Sequence, residues 1–389
     1  MARVLVTDAG GRNVVAAVRS LGRQGIEVTG ASEERLALSF FSKYCKSRLR
    51  YPSPREEPEG WVEWLLGELS RRQYDMVMPI GDDCTEMVSK YKDEIEKFTH
   101  VPVVKYSKWL RARDKAQTIE LAVNLGVPCP KTRFIKDLAT VESIGREIDG
   151  RLVIKPRQSN GSRGIVYLDD TRNLQREYER IHRDFEYPMI QEFIPPGGQT
   201  YGVFLLFNEQ SEVRAVFAHR RLREFPVKGG PSTLRESVHR PDLVDISVKL
   251  LKAIGWYGVA MVEFKEDPRD GVCKIMEINP RFWGSLPLSI VAGVDFPYLL
   301  YRMVMDGDVK PVLDYPAGVR CRWLLPGDIL HFLANPNRFK IEPSFFDFSK
   351  NNRNDDFISW EDPGPTFGFF LVLLKSLFSI KKWKHVFAR

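Results

Sequence analysis

Cysteine is scarce and scattered in this 389-residue chain: Cys45, Cys84, Cys129, Cys273 and Cys321 include no CxxC pair, and no histidine stands at zinc-ligand spacing. That argues against a zinc module or a disulfide scaffold and predicts reduced thiols in a cytoplasmic protein. Long apolar runs are also missing. The run Phe367 to Leu374, interrupted by Gly368, is too short to cross a bilayer as a helix. The opening MARVLVTDAGG passes directly into a strand pattern without a charged-then-apolar leader, so export is not expected. Two phosphate signatures are absent as well: the TDAGGRN turn is not GxGxxG, and GxxxxGK(S/T) does not occur. The turn therefore reads as a tight helix–strand connection rather than a cofactor site. Repeats and low-complexity tracts are lacking, and so is any Ser, His and Asp set or Cys and His pair that would suggest a covalent nucleophile.

What is present is a globular composition, 43% hydrophobic with a net charge of +7. Such a charge speaks to solubility and steering, and no nucleic-acid partner is expected from it. The length suggests two or three units. RVLV, the helix pattern NVVAAVRSLGRQG and the strand IEVTGAS form a βαβ unit, and Trp61 to Arg72 feeding Met76 to Ile80 forms another. Residues 1–105 thus read as a doubly wound α/β domain. From Asp114, which caps a helix, the character becomes α+β, with expected subdomains at 106–190 and 191–315 and a helical C-terminal extension at 316–389. The overall fold class is α/β and α+β.

The most informative stretch is KIMEINPRFWGS, Lys274 to Ser285. Ile275, Met276 and Ile278 give it apolar bulk, yet Glu277, Asn279 and Arg281 fall at alternate positions and share one face of a strand. Upstream, GVAMVEF carries Glu263, and the turn containing Asp267, Pro268, Asp270 and Gly271 predicts a hairpin. Such a hairpin brings Glu263 near Glu277 or Asn279. Two carboxylates and an amide make a hard-oxygen set for Mg2+, or Mn2+, with the remaining positions left to phosphate and water.

Two other segments support a nucleotide. In VIKPRQSNGSRGIVYL, Lys155 closes an apolar strand before a loop from Ser159 to Gly164 that includes Gly161 and Ser162 and reads as a flexible phosphate lid. In MIQEFIPPGG, a strand with Gln191 leads to a hinge of Glu192, Phe193 and Ile194, suited to a purine edge and face.

In this order, with Asp114 and Lys115 opening a helix, the chain resembles the ATP-grasp superfamily from about Val4 to Asp314, and its EINPR strand is similar to that of carbamoyl-phosphate synthase. The resemblance implies an ATP-dependent ligase that activates a carboxylate as an acyl phosphate and joins it to an amine. It implies Lys115 and Lys155 on the nucleotide phosphates, the 159–164 loop over them, and Glu192 to Ile194 at adenine. Glu263, Glu277 and Asn279 would hold magnesium, and Arg281 would steady the transferred phosphoryl group. Many family members place an acidic residue on the ribose just after the hinge, where this chain has Gln199 and Thr200.

Substrate recognition is expected from AHRRLREFPVKGG, where Arg220 and the turn Lys228, Gly229 and Gly230 suit a carboxylate. A kinase acting on carbamate or another carboxylate is the alternative, and a nucleotide-binding, membrane-peripheral protein a third. The C-terminal segment, with Lys375, Lys381, Lys382 and Lys384 beside Trp383 and Phe387, reads either as a basic helix on a membrane surface or as a helix packed on its own domain or a dimer partner.

Overall fold

The computed structural model describes residues 2–148, 150–159, 163–227, 229–349 and 354–377. The N-terminal sheet is parallel, with β1 (Arg3–Val6), β2 (Glu27–Ser32), β3 (Cys45–Arg50) and β4 (Met76–Met78) in the order β3-β2-β1-β4. The apolar run Val4, Leu5 and Val6 follows from burial on both faces. Val4 and Val6 join the core beneath the helix Arg12–Arg23, while Leu5 joins the core formed with Trp61, Leu65 and Leu69 of the helix Pro58–Arg71. β3 was not anticipated: CKSRLR lies at a sheet edge and buries few of its residues, so no apolar run announces it.

A second, antiparallel sheet has the order β5-β8-β6-β7, formed by β5 (Thr132–Phe134), β6 (Leu152–Lys155), β7 (Val166–Leu168) and β8 (Met189–Glu192). Leu152 and Ile154 are fully buried against the helix Leu174–His182. The boundary expected at 190 runs through β8, which stays with this sheet.

The largest sheet has the order β13-β12-β9-β10-β11-β14. Its strands are β9 (Thr200–Phe207), β10 (Val213–Glu224), β11 (Ser232–Ser237), β12 (Gly258–Glu266), β13 (Cys273–Asn279) and β14 (Arg320–Arg322), and all its pairings are antiparallel. The segment after residue 315 is therefore more than a helical extension, since β14 closes one edge of this sheet. The helix Pro241–Ile254 covers part of it and stops at Gly255, whose φ of 70° gives the left-handed cap that favours glycine. Phe282 and Trp283 are both buried, with the Trp283 ring centre 4.3 Å from that of Phe204.

The two ends of the chain dock on each other. Arg19 Nε lies 2.9 Å from Asp362 Oδ2, both buried, and Ser42 donates to the same carboxylate at 2.7 Å. The helix Gly364–Leu377 packs on Leu38–Phe41, with Gly364 and Gly368 so close to Phe41 that neither has room for a β-carbon. Its other side leaves Phe367, Phe370, Leu373 and Leu374 exposed. Lys381, Lys382, Trp383, Lys384 and Phe387 lie outside the described residues. No helix among the described residues is long and apolar enough to cross a membrane.

Candidate functional site

The hairpin of β12 and β13 sets Glu263 directly opposite Glu277, with Met261 opposite Asn279. Cross-strand partners share a face, so the two carboxylates stand side by side. The helix Lys115–Asn124 approaches them with its N-terminus, which Asp114 caps by accepting from the Ala116 N–H at 2.9 Å. A lysine at the first helical position is disfavoured by the helix dipole. Here Lys115 is buried and balanced by Glu277, with Nζ 3.2 Å from Oε2, and it donates to the Ser159 carbonyl at 3.0 Å. Arg157 braces the cap through both oxygens of Asp114.

Lys155 ends β6 in the same pocket and is 7% exposed. Burial pulls its pKa down to about 8; Glu277 and Glu263 oppose that pull, and the charge on Lys115 adds to it. Burial alone would raise Glu277, but Lys115, Lys155 and the Asn279 amide, 3.1 Å from Oε1, outweigh it and hold the carboxyl at about 2. Glu263 is pushed upward by burial, with Arg221 opposing and Glu277 adding. Arg221 nonetheless contacts Glu263 Oε2 directly. The two carboxylates thus occupy unequal environments, one set between lysines and the other beside an arginine.

Arg281 leaves the end of β13 and turns back. Its Nη2 donates to Asn279 Oδ1 at 3.2 Å, its Nη1 to the Phe282 carbonyl at 2.7 Å, and its Nε lies 2.6 Å from Asp82 Oδ2. Asp82 begins the helix Asp82–Lys90 just past the C-terminal end of β4, which is where parallel sheets present ligand-facing residues. Arg113 lies 3.6 Å from the other oxygen of Asp82 and reaches the Ser159 carbonyl at 3.4 Å. Asp82 and Arg113 were not anticipated. Their signals were GDDC after a parallel strand and an arginine immediately before the Asp114 cap.

Several expected residues are engaged elsewhere. Arg220 lies on the sheet face opposite Glu263, with Nε and Nη2 on Glu236 at 2.9 and 2.6 Å, so Arg221 is the arginine that faces the cleft. Gln191 is buried, and its amide donates to Thr132 across β5 and β8 at 2.9 Å. Glu192 accepts from the Lys131 N–H at 2.9 Å and pairs with Arg269 and Lys274. The N–H groups of Glu192 and Phe193 donate to the Lys131 and Arg151 carbonyls, and Lys265 donates to the Ile194 carbonyl at 2.8 Å. Phe193 lies under Arg151 and beside Tyr167. The Gln199 amide donates to the Arg221 carbonyl. Gly164, at φ 72°, packs against Phe185 and Pro156, and the Gly230 carbonyl accepts from Arg221 at 3.2 Å beside Gly229. Gly161, Ser162 and Lys228 lie outside the described residues. His219 is buried and stacked on Phe204 at 4.9 Å, and burial drives its pKa down to about 3.

Among the described residues no three His, Cys, Asp or Glu side chains group as a metal cage. Glu263, Glu277 and Asn279 fit instead an ion that takes few protein oxygens and completes its shell with phosphate and water, as Mg2+ does.

The fold is the ATP-grasp fold of known structures. Residues 184–325 match the family described as "ATP-grasp in the biosynthetic pathway with Ter operon". A D-aspartate ligase of Enterococcus faecium (strain Aus0004) is 24% identical over 315 residues, covering 74% of this chain and 72% of that one. Among solved structures, the biotin carboxylase domain of Hydrogenobacter thermophilus 2-oxoglutarate carboxylase superposes with a TM-score of 0.69 at 18% identity, covering 82% of this chain and 73% of that one. An L-amino acid ligase from Bacillus licheniformis gives 0.62 at 17% identity over 80% and 78%. The chain has an ATP-grasp fold, matches an ATP-grasp family across residues 184–325, and is similar in sequence to an ATP-grasp ligase that acts on an amino acid.

Proposed function

We propose that this chain uses ATP and Mg2+ to convert a small carboxylic acid into an acyl phosphate, which an amine or amino acid then attacks. A carboxylate oxygen bonds to the γ-phosphorus as the bond to the β–γ bridging oxygen breaks, and ADP leaves. The amine nitrogen then bonds to the acyl carbon, the carbon–oxygen bond to phosphate breaks, and the nitrogen gives up a proton. Lys115 and Lys155 neutralise phosphate oxygens, aided by the loop from Ser159 to Gly164. Arg281 steadies the group in transfer, and Asp82 orients Arg281. Mg2+ on Glu263, Glu277 and Asn279 would offset the charge on the β- and γ-phosphates. Biotin carboxylase, of the same fold, has been solved with MgADP, which supports this assignment of cofactors. The likeness to a D-aspartate ligase supports an amino acid as one of the two substrates.

The observation that carries the reading is the facing of Glu263 and Glu277 beneath two buried lysines. ADP release measured with acids and amines tests it, with hydroxylamine as an amine that traps acyl phosphates. Hydroxamate formed only when ATP and an acid are both present supports the ligase. ADP release that needs the acid but yields neither hydroxamate nor amide points to the kinase alternative. ADP release indifferent to acids would refute the reading.

A cytoplasmic setting, with ATP at hand and all five cysteines unpaired, is part of the proposal. A second reading adds contact with an anionic membrane surface through Phe367, Phe370, Leu373 and Leu374, exposed beside Lys375 and the basic C-terminal sequence. Flotation with anionic vesicles that persists without residues 366–389 would remove that contact. Self-association lost on the same truncation would assign the face to a homodimer instead.

A further inference from the structure

Beside the reaction site, the N-terminal loop and the C-terminal segment meet in a charged cluster to which the ligase reading gives no role. Arg12, at the start of the first helix, has its guanidinium 3.7 Å from the centre of the Trp323 ring, and its Nε is 2.7 Å from Asp356 Oδ2. Arg235 on β11 contacts the other oxygen, Oδ1, of the same carboxylate. Arg235 and Asp356 have fully buried side chains, and Arg235 Nε has no hydrogen-bond partner. The neighbouring Asp355 is already committed, since its oxygens accept from the N–H groups of Leu324, Phe357 and Ile358. Two guanidiniums therefore share the Asp356 carboxylate, and neither Arg12 Nε nor Asp356 Oδ2 has a hydrogen-bond partner despite their close approach. Burial draws both arginines down to about 10, an environment that an additional anion would relieve.

The cluster is continuous with the cleft. Arg235 is the register neighbour of Arg221, which holds Glu263 opposite Glu277. At the other end, a β-carbon on Gly284 would come within 3.2 Å of Arg12 Nη2. The glycine three residues beyond Arg281 thus clears the place that Arg12 occupies. One file of charge runs from the paired glutamates through Arg221 and Arg235 to Arg12.

We propose that Arg12 and Arg235 form a second anion subsite for the acid substrate, that Asp356 is the internal partner which the ligand displaces, and that the substrate is an acid bearing a second carboxylate. This rests on the ligase reading. Fork-shaped guanidiniums suit a carboxylate, and Trp323 fixes the plane of one of them.

Calorimetric titration of the full chain, with a non-hydrolysable ATP analogue and Mg2+, tests the proposal. The probes are succinate, aspartate and glutamate, each beside its one-carboxylate counterpart butyrate, 2-aminobutyrate or 2-aminopentanoate. At least one diacid is expected to bind about 10-fold or more tighter than its counterpart, the scale of a charge-assisted pair. Arg12→Lys keeps the charge but loses the fork and should abolish that preference while leaving binding of a fluorescent ATP analogue unchanged. Asp356→Asn removes the competing carboxylate and should tighten the diacid. Diacids and monoacids binding alike, or Asp356→Asn weakening the diacid, would overturn the subsite and leave the cluster as structural cement. Failure of the wild-type chain to bind the ATP analogue would instead overturn the ligase reading beneath it.

Discussion

Replacing Glu277 by glutamine keeps the size of the side chain and a hydrogen-bond acceptor for Asn279 but removes the charge that faces Lys115 and Lys155. At the observed 3.2 Å, the attraction of Lys115 to Glu277 is about 5 kcal/mol for an effective dielectric of 20. Much of that repays the desolvation of both groups, so the net cost of leaving the lysine unpaired is about 3 kcal/mol. Lys155 softens the loss, because its pKa, already drawn down to about 8, can fall further and the side chain can shed its proton. Urea denaturation should therefore show Glu277→Gln destabilised by about 2–4 kcal/mol. Adding Lys115→Met should recover most of that stability, since removing both partners leaves no orphan charge. ADP formation should fall by more than about 100-fold in the single variant and stay low in the double, because the transition-state charge has lost both partners. Turnover within twofold of wild type in Glu277→Gln would refute the site, and a double variant no more stable than the single would refute the pairing.

Lys155 should bind nucleotide as a cation. Between pH 7 and 9 it loses its proton in the free enzyme, around pH 8, so KM for ATP should rise through that window, and Lys155→Arg should flatten the profile. Arg221→Ala should impair turnover by about 10-fold or more by unbalancing Glu263, whereas Arg220→Ala should leave turnover unchanged; equal effects in steady-state assays would contradict the face assignment. Asp82→Asn should lower kcat more than it raises KM for ATP, since it frees Arg281 rather than a nucleotide contact; a change in KM alone would contradict that role. Gly368→Ala should loosen the C-terminal helix from Phe41 and show as faster proteolysis after residue 362, with ADP release unaffected.

The β12–β13 hairpin was legible because Glu277, Asn279 and Arg281 alternate inside an apolar run and a turn of Asp267 to Gly271 announces it. Register was not legible. It depends on how β12 and β13 pair, and a bulge after Glu263 shifts that pairing. The same limit led to Arg220 in place of Arg221, since neighbouring strand residues differ only in which face they take. The Pro and Gly turn reads as a hinge at Glu192 to Ile194, but the side chains of Glu192 and of Gln191 before it serve Lys131, Arg269, Lys274 and Thr132, partners distant in sequence. Arg12, Arg235 and Asp356 were invisible for a related reason. Each acquires its meaning by pairing across domains, and no local pattern of composition or periodicity records such a pairing.

The central claim is that oxygen passes from the acid to phosphate through an acyl phosphate. It is tested most directly by supplying the acid with both carboxylate oxygens labelled as 18O and examining the phosphate released during amide or hydroxamate formation by mass spectrometry. One labelled oxygen per phosphate is the expected result; phosphate carrying oxygen only from water and ATP would contradict the account.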